Sequence, residues 1–186
     1  RAEAERPAMD HPLAARTAAV IGARRVAPDI AQAEAEGSLV LLVDDHPTNR
    51  MVLRHQAKVL GYASETCENG ADALERWKSG RFAIVITDCR MAVMDGYELA
   101  RRIREIEAAR GGKRTPVVAC TANAIASEAE ICLAAGMDDF LVKPVELHRM
   151  LEVLKRWLPL PPAPAALAAE SAALPSRHAS SVASLD

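Results

Sequence analysis

Apolar residues in this chain gather into short, nearly unbroken runs, each closed by a polar side chain. The runs are Leu39–Val43, Phe82–Thr87, Pro116–Cys120 and Phe140–Val142. They are too short for helices and too continuous for strands with one wet face, which suits parallel strands covered on both sides. Between them the spacing turns helical. Leu53, Ala57 and Leu60 mark one amphipathic helix, Leu99, Ile103 and Ile106 another, and Leu147, Met150, Leu151, Leu154 and Leu158 a last one. Residues 62–67 read as a weaker strand, 71–78 as a helix, and Asn123 as the opening of a further helix. Strand and helix therefore alternate five times. Right-handed crossovers then predict an α/β fold with a doubly wound five-stranded parallel sheet, order 2-1-3-4-5.

In such a sheet the carboxyl ends of the strands form one rim, where sites assemble. The polar residues closing the runs are Asp44-Asp45, Asp88, Thr121 and Lys143, so residues scattered over the chain are predicted to meet there. Three carboxylates without His or Cys partners suit a hard divalent cation, above all Mg2+. A carboxylate beside such an ion can act as a nucleophile toward phosphorus. A lysine and a hydroxyl opposite would hold the remaining phosphoryl oxygens.

The strings VDDHPTNR (43–50), ITDCRMAVMDGYEL (86–99), VVACTANA (117–124) and GMDDFLVKP (136–144) resemble a response-regulator receiver domain. Their wording is most similar to receivers inside hybrid sensor histidine kinases. The resemblance runs from Leu39 to about Leu158 and implies a flavodoxin-like receiver fold. It makes Asp88 the phosphoacceptor and assigns Mg2+ to Asp45 and Asp88 directly, to Asp44 through water or its field, and to the backbone carbonyl of Arg90. Thr121 and Lys143 would bind the phosphoryl group, and Thr121 with Phe140 would form the switch. Ala122 is small, which in this family leaves the phosphoryl site open to a partner or to water.

The implied partners are the phosphohistidine donor domain of a histidine kinase and a histidine-phosphotransfer domain, with weak homodimerisation left open. The receiver would catalyse its own phosphorylation and dephosphorylation, the kinase core lying elsewhere in the parent protein. One position departs from the family: Met91-Ala92 stands where Met-Pro is usual. Alanine frees a φ angle that proline would fix, so a looser loop and slightly weaker Mg2+ binding are expected. Asp95 reads as the N-cap of the helix that follows.

Composition narrows the alternatives. Half of the 186 residues are apolar, enough for a core, and the net charge of −2 gives no reason to expect nucleic acid or an anionic membrane as partner. No apolar run nears the roughly 18 residues of a membrane span, so a cytoplasmic fragment is expected, its parent anchored in an inner membrane or not. The chain starts at Arg rather than Met, as a piece of a longer polypeptide would. Residues 1–37 read as a linker, partly disordered or helical, 38–158 as the receiver, and 159–186 as an Ala/Pro/Ser-rich tether. Cys67, Cys89, Cys120 and Cys132 lack metal or redox spacing, and Cys67, Cys89 and Cys120, on or just after strands, read as small apolar residues. His46, His55 and His148 read as surface or packing residues.

Three other functions stand beside the leading one. A stand-alone response regulator would share every motif. A haloacid-dehalogenase-like phosphohydrolase would need an Asp-x-Asp pair on the first strand, whereas Asp44 and Asp45 are adjacent. A degenerate, phosphorylation-independent interaction module would not need the full acidic, Thr and Lys set.

Overall fold

The computed structural model describes residues 25–122 and 126–158; the expected helix start at Asn123 and the tails 1–24 and 159–186 lie outside them. The elements in chain order are α1 (Ile30–Glu36), β1 (Val40–Val43), α2 (Pro47–Val59), β2 (Ser64–Cys67), α3 (Gly70–Trp77) and β3 (Ile84–Asp88). They continue with α4 (Gly96–Arg110), β4 (Val117–Thr121), α5 (Ala126–Ala134), β5 (Asp139–Val142) and α6 (Leu147–Trp157). All strand pairs are parallel, in the predicted order β2-β1-β3-β4-β5.

Successive residues of each strand point to opposite faces, and both faces are dry. On one side Val40, Leu42, Ile84, Ile86, Val118 and Leu141 pack under Leu53 and Ala57 of α2 and Met150, Val153 and Leu154 of α6. On the other, Leu41, Val43, Val85, Val117 and Ala119 pack under α3, α4 and α5 through Ala73, Leu74, Leu99, Ile103 and Cys132. This two-sided burial is why the central strands read as unbroken apolar runs. Each fully buried aliphatic side chain contributes on the order of 1.5–3 kcal/mol of transfer free energy.

Some boundaries shift from the predicted ones. β3 starts at Ile84 rather than Phe82, and both β3 and β4 run one residue further, so that Asp88 and Thr121 are terminal strand residues. The last helix ends at Trp157, leaving Leu158 as a buried C-cap. Helix α1 falls within the stretch expected to be linker. Asp29 caps it by accepting from the Gln32 amide, and Ala33 is fully buried against the sheet layer of α3 and α4.

Candidate functional site

The two acidic residues after β1 diverge in environment. Asp44 is fully buried and both of its oxygens are engaged. Oδ1 accepts from the His46 amide at 2.8 Å and Asn49 Nδ2 at 3.1 Å; Oδ2 accepts from Asn49 Nδ2 at 3.1 Å and Lys143 Nζ at 2.8 Å. Asp45 is exposed. Asp88, at the end of β3, is intermediate: Oδ2 accepts from Lys143 Nζ at 2.7 Å and Oδ1 from the Arg90 amide at 3.3 Å. One oxygen from each of Asp44, Asp45 and Asp88 falls within a sphere of mutual separation 4.8 Å.

The remaining site residues come from the far half of the sheet. Thr121 is buried at the end of β4, and its carbonyl accepts from the Lys143 amide at 2.8 Å. That bond extends the β4–β5 ladder and sets Lys143 beside the carboxylates. Burial pulls the Lys143 ammonium toward neutrality, but its bonds to Asp44 and Asp88 outweigh this and hold its pKa above the usual lysine value. The Lys143–Pro144 bond is cis. Phe140 lies on β5 and is 41% exposed.

The loop after β3 folds back so closely that only glycine fits at position 96. A Cβ there would lie 2.1 Å from the Asp88 carbonyl oxygen. Asp95 caps α4 by accepting from the Glu98 amide at 2.8 Å, as its position anticipated. Between them the Met94 amide donates to the Ala92 carbonyl at 2.9 Å, forming a tight turn on Val93 at φ 71°. A β-branched residue is strained in this region.

The structure thus brings Asp44, Asp45, Asp88, Thr121 and Lys143 to one rim, with Arg90 beside Asp88 and Phe140 farther down β5. Sequence reasoning missed the supports. Asn49 holds both oxygens of Asp44, and Arg50 Nη1 donates to the carbonyls of Asp44 at 2.7 Å and Asp45 at 3.0 Å. Their place in the first turn of α2, facing back toward the end of β1, was the available signal. Tyr97 also escaped notice; its hydroxyl donates to Glu128 Oε1 at 2.5 Å, tying α4 to α5. Cys67, Cys89, Cys120 and Cys132 are free and buried, and burial pushes every one of their thiols up, Cys89 to about 12.

The donor set fits a hard cation: oxygen ligands only, without imidazole or thiolate, from three carboxylates gathered at one rim. Comparison with known sequences settles the family, because the model of the response regulator receiver domain matches residues 40–155. The chain belongs to that family. The receiver is 46% identical over 136 residues to the virulence sensor protein BvgS of Bordetella pertussis, covering 69% of this chain and 11% of that protein. It is 42% identical over 132 residues to the sensor histidine kinase RcsC of Escherichia coli K12, covering 71% and 13%. The chain therefore spans only about a tenth of the length of these relatives.

Among solved structures, the fold matches the receiver domain of sensor histidine kinase PA1611 from Pseudomonas aeruginosa, which has a magnesium ion coordinated in its active-site cleft. The TM-score is 0.58 at 38% identity, over 65% of this chain and 97% of that one. It also matches the Saccharomyces cerevisiae response regulator Ssk1, whose receiver was co-crystallised with the histidine phosphotransfer protein Ypd1. There the TM-score is 0.62 at 28% identity, over 64% and 87%. Among the described residues no helix is long and apolar enough to cross a membrane.

Proposed function

We propose that this receiver accepts a phosphoryl group from a phosphohistidine onto Asp88 in a Mg2+-dependent phosphorelay, as part of a hybrid sensor histidine kinase. The observation that carries the reading is the division of labour between the two adjacent aspartates. Asp44 spends all its acceptor capacity on protein donors, so it anchors Lys143 and shapes the field. Asp45, exposed beside it, is left to face the ion together with Asp88 and the Arg90 carbonyl. When bound, Mg2+ supplies charge neutralisation for the phosphoryl oxygens.

An Asp88 carboxylate oxygen forms the new O–P bond as the N–P bond of the phosphohistidine breaks, and the imidazole leaves with a proton from solvent. Lys143 moves from the Asp88 carboxylate to a phosphoryl oxygen, and the Thr121 hydroxyl donates to another. Phe140 then turns inward from its exposed position, altering the surface of α5, β5 and α6. Loss to water follows the same line of attack, and Ala122, small and exposed, leaves it open.

The donor must approach Asp88 in line. Exposed Met51 and Val52 on α2 and Val93 beyond Asp88 flank that approach with apolar surface suited to a helical phosphodonor domain. The pairing of a receiver with a phosphotransfer protein in the Ssk1 complex supports such a partner. The similarity to BvgS and RcsC supports a hybrid-kinase parent, which would place the receiver in the cytoplasm.

Beryllofluoride, a phosphoryl mimic, tests the chemistry directly. Titrated calorimetrically, it should bind the wild type only with Mg2+ present and should not bind Asp88→Asn. Binding without Mg2+, or binding retained in the variant, would refute the assignment.

A further inference from the structure

The sheet edge remote from Asp88 carries a second organised feature, built on the turn between α2 and β2. Gly61 there has φ 86°, and a Cβ at this position would lie 2.8 Å from the Arg25 carbonyl oxygen. The backbone that enters the receiver is therefore seated directly on the turn. The next residue, Tyr62, is 1% exposed, and its hydroxyl donates to the Leu158 carbonyl at 3.2 Å. The backbone that leaves the receiver is held by the same two-residue turn. Arg25 also lies close enough to the Tyr62 hydroxyl for its charge to favour the phenolate against burial, which pushes that group up to about 12.

The entering arm has further fastenings. The Arg25 guanidinium pairs with Glu36 across α1. Ala33 is fully buried, and its carbonyl accepts from the Ser38 amide at 2.8 Å. Glu34 pairs with Arg81 at 3.0 Å, Arg81 with Glu65 at 2.8 Å, and Glu65 with Arg76 at 3.2 Å. This ladder ties α1 to β2 and α3. Residues 25–39 precede the stretch matched by the family model.

We propose that the Gly61–Tyr62 turn is a junction that clamps the entering and leaving segments of this chain together. The arm entering at Arg25 and the end of α6 at Leu158 then meet at the edge opposite the phosphoryl rim. Both are held in fixed register with the receiver and with each other. The rim around Asp88 faces away from both and stays open to a donor. The occupants of the surface are thus the chain's own arms, α1 with Arg25 on one side and the end of α6 on the other.

Hydrogen exchange on the full chain tests this, without reliance on phosphoryl transfer, so its outcome is separate from the reading of Asp88. Peptides covering 30–38 and 154–158 should exchange at least about tenfold more slowly than unstructured chain. Ala33→Arg, which leaves the turn untouched, should release 30–38 while β3 stays protected. Tyr62→Phe should raise exchange at the end of α6 alone. For the register of the two arms, nitroxides at Ile30→Cys and Lys155→Cys should give one narrow distance, broadened by Ala33→Arg. Unprotected exchange over 30–38 in the wild type, or a broad distance distribution there, would overturn the proposal. So would an Ala33→Arg variant that leaves both unchanged.

Discussion

Lys143 Nζ donates to Asp88 Oδ2 at 2.7 Å, and the same ammonium reaches Asp44 Oδ2 at 2.8 Å. One cation is thereby shared between the candidate nucleophile and a carboxylate that has no access to water. Lys143, Asn49 and the His46 amide all donate to Asp44. Its orientation in turn fixes where Lys143 can reach, so the buried pair acts as the hinge post of the site.

Removing the ammonium leaves Asp44 buried with a diminished set of donors. Lys143→Met should destabilise the metal-free protein by about 1–3 kcal/mol, less than a wholly buried pair would cost because the lysine is partly solvated. Chemical denaturation measures this. The pH dependence has a definite sign: the Lys143 pKa is raised in the folded state. Its contribution is complete below the unfolded lysine value of about 10.4 and is lost as pH rises through the folded one. The wild-type advantage over Lys143→Met should be level near neutrality and shrink above about pH 10.4.

Asp88→Asn removes one of three clustered negative charges while keeping the shape of the side chain. Stability should be unchanged or higher by up to about 1 kcal/mol, and Mg2+ affinity should fall. A thermal melt with and without Mg2+ reads both; a variant that fails to fold would point to a structural role for Asp88.

Val93 sits at φ 71° and is 86% exposed, so its strain is not repaid by packing of its own side chain. Val93→Asn should raise stability by about 1 kcal/mol, since asparagine tolerates this conformation better. Ala92→Pro next door keeps the carbonyl that accepts from Met94. By stiffening the loop it should tighten Mg2+ binding about two- to fivefold. Denaturation and calorimetry, respectively, decide these.

All four thiols are buried and pushed upward, so a thiol reagent at neutral pH should modify none until denaturant is added, then all four. The unfolded chain ionises its cysteines from about pH 8.5 while the folded chain does not. Stability should therefore decline above that pH, and less steeply in Cys89→Ala, provided that variant folds.

The order of the sheet and the membership of the rim were legible because β1, β3 and β4 are buried on both faces and announce themselves as apolar runs. β2 was fainter for a physical reason: Ser64, Glu65 and Thr66 are half-exposed on an edge strand, so no unbroken run can form. The folded character of α1 was harder still, resting on one buried alanine and on ion pairs with residues distant in sequence. Asn49 and Arg50 were faint as supports: only their place in the first turn of α2 hinted that they reach back to the Asp44 carboxylate and to the carbonyls of Asp44 and Asp45. The Val93 strain lies in a loop that the sequence located after Asp88, but residue types alone do not give the φ of its turn.

Intact mass after incubation with acetyl phosphate reads whether Asp88 accepts a phosphoryl group with Mg2+. A gain of one phosphoryl group that requires Mg2+ and disappears in Asp88→Asn is expected. No gain with Mg2+ present, or a gain that persists in Asp88→Asn, would contradict it.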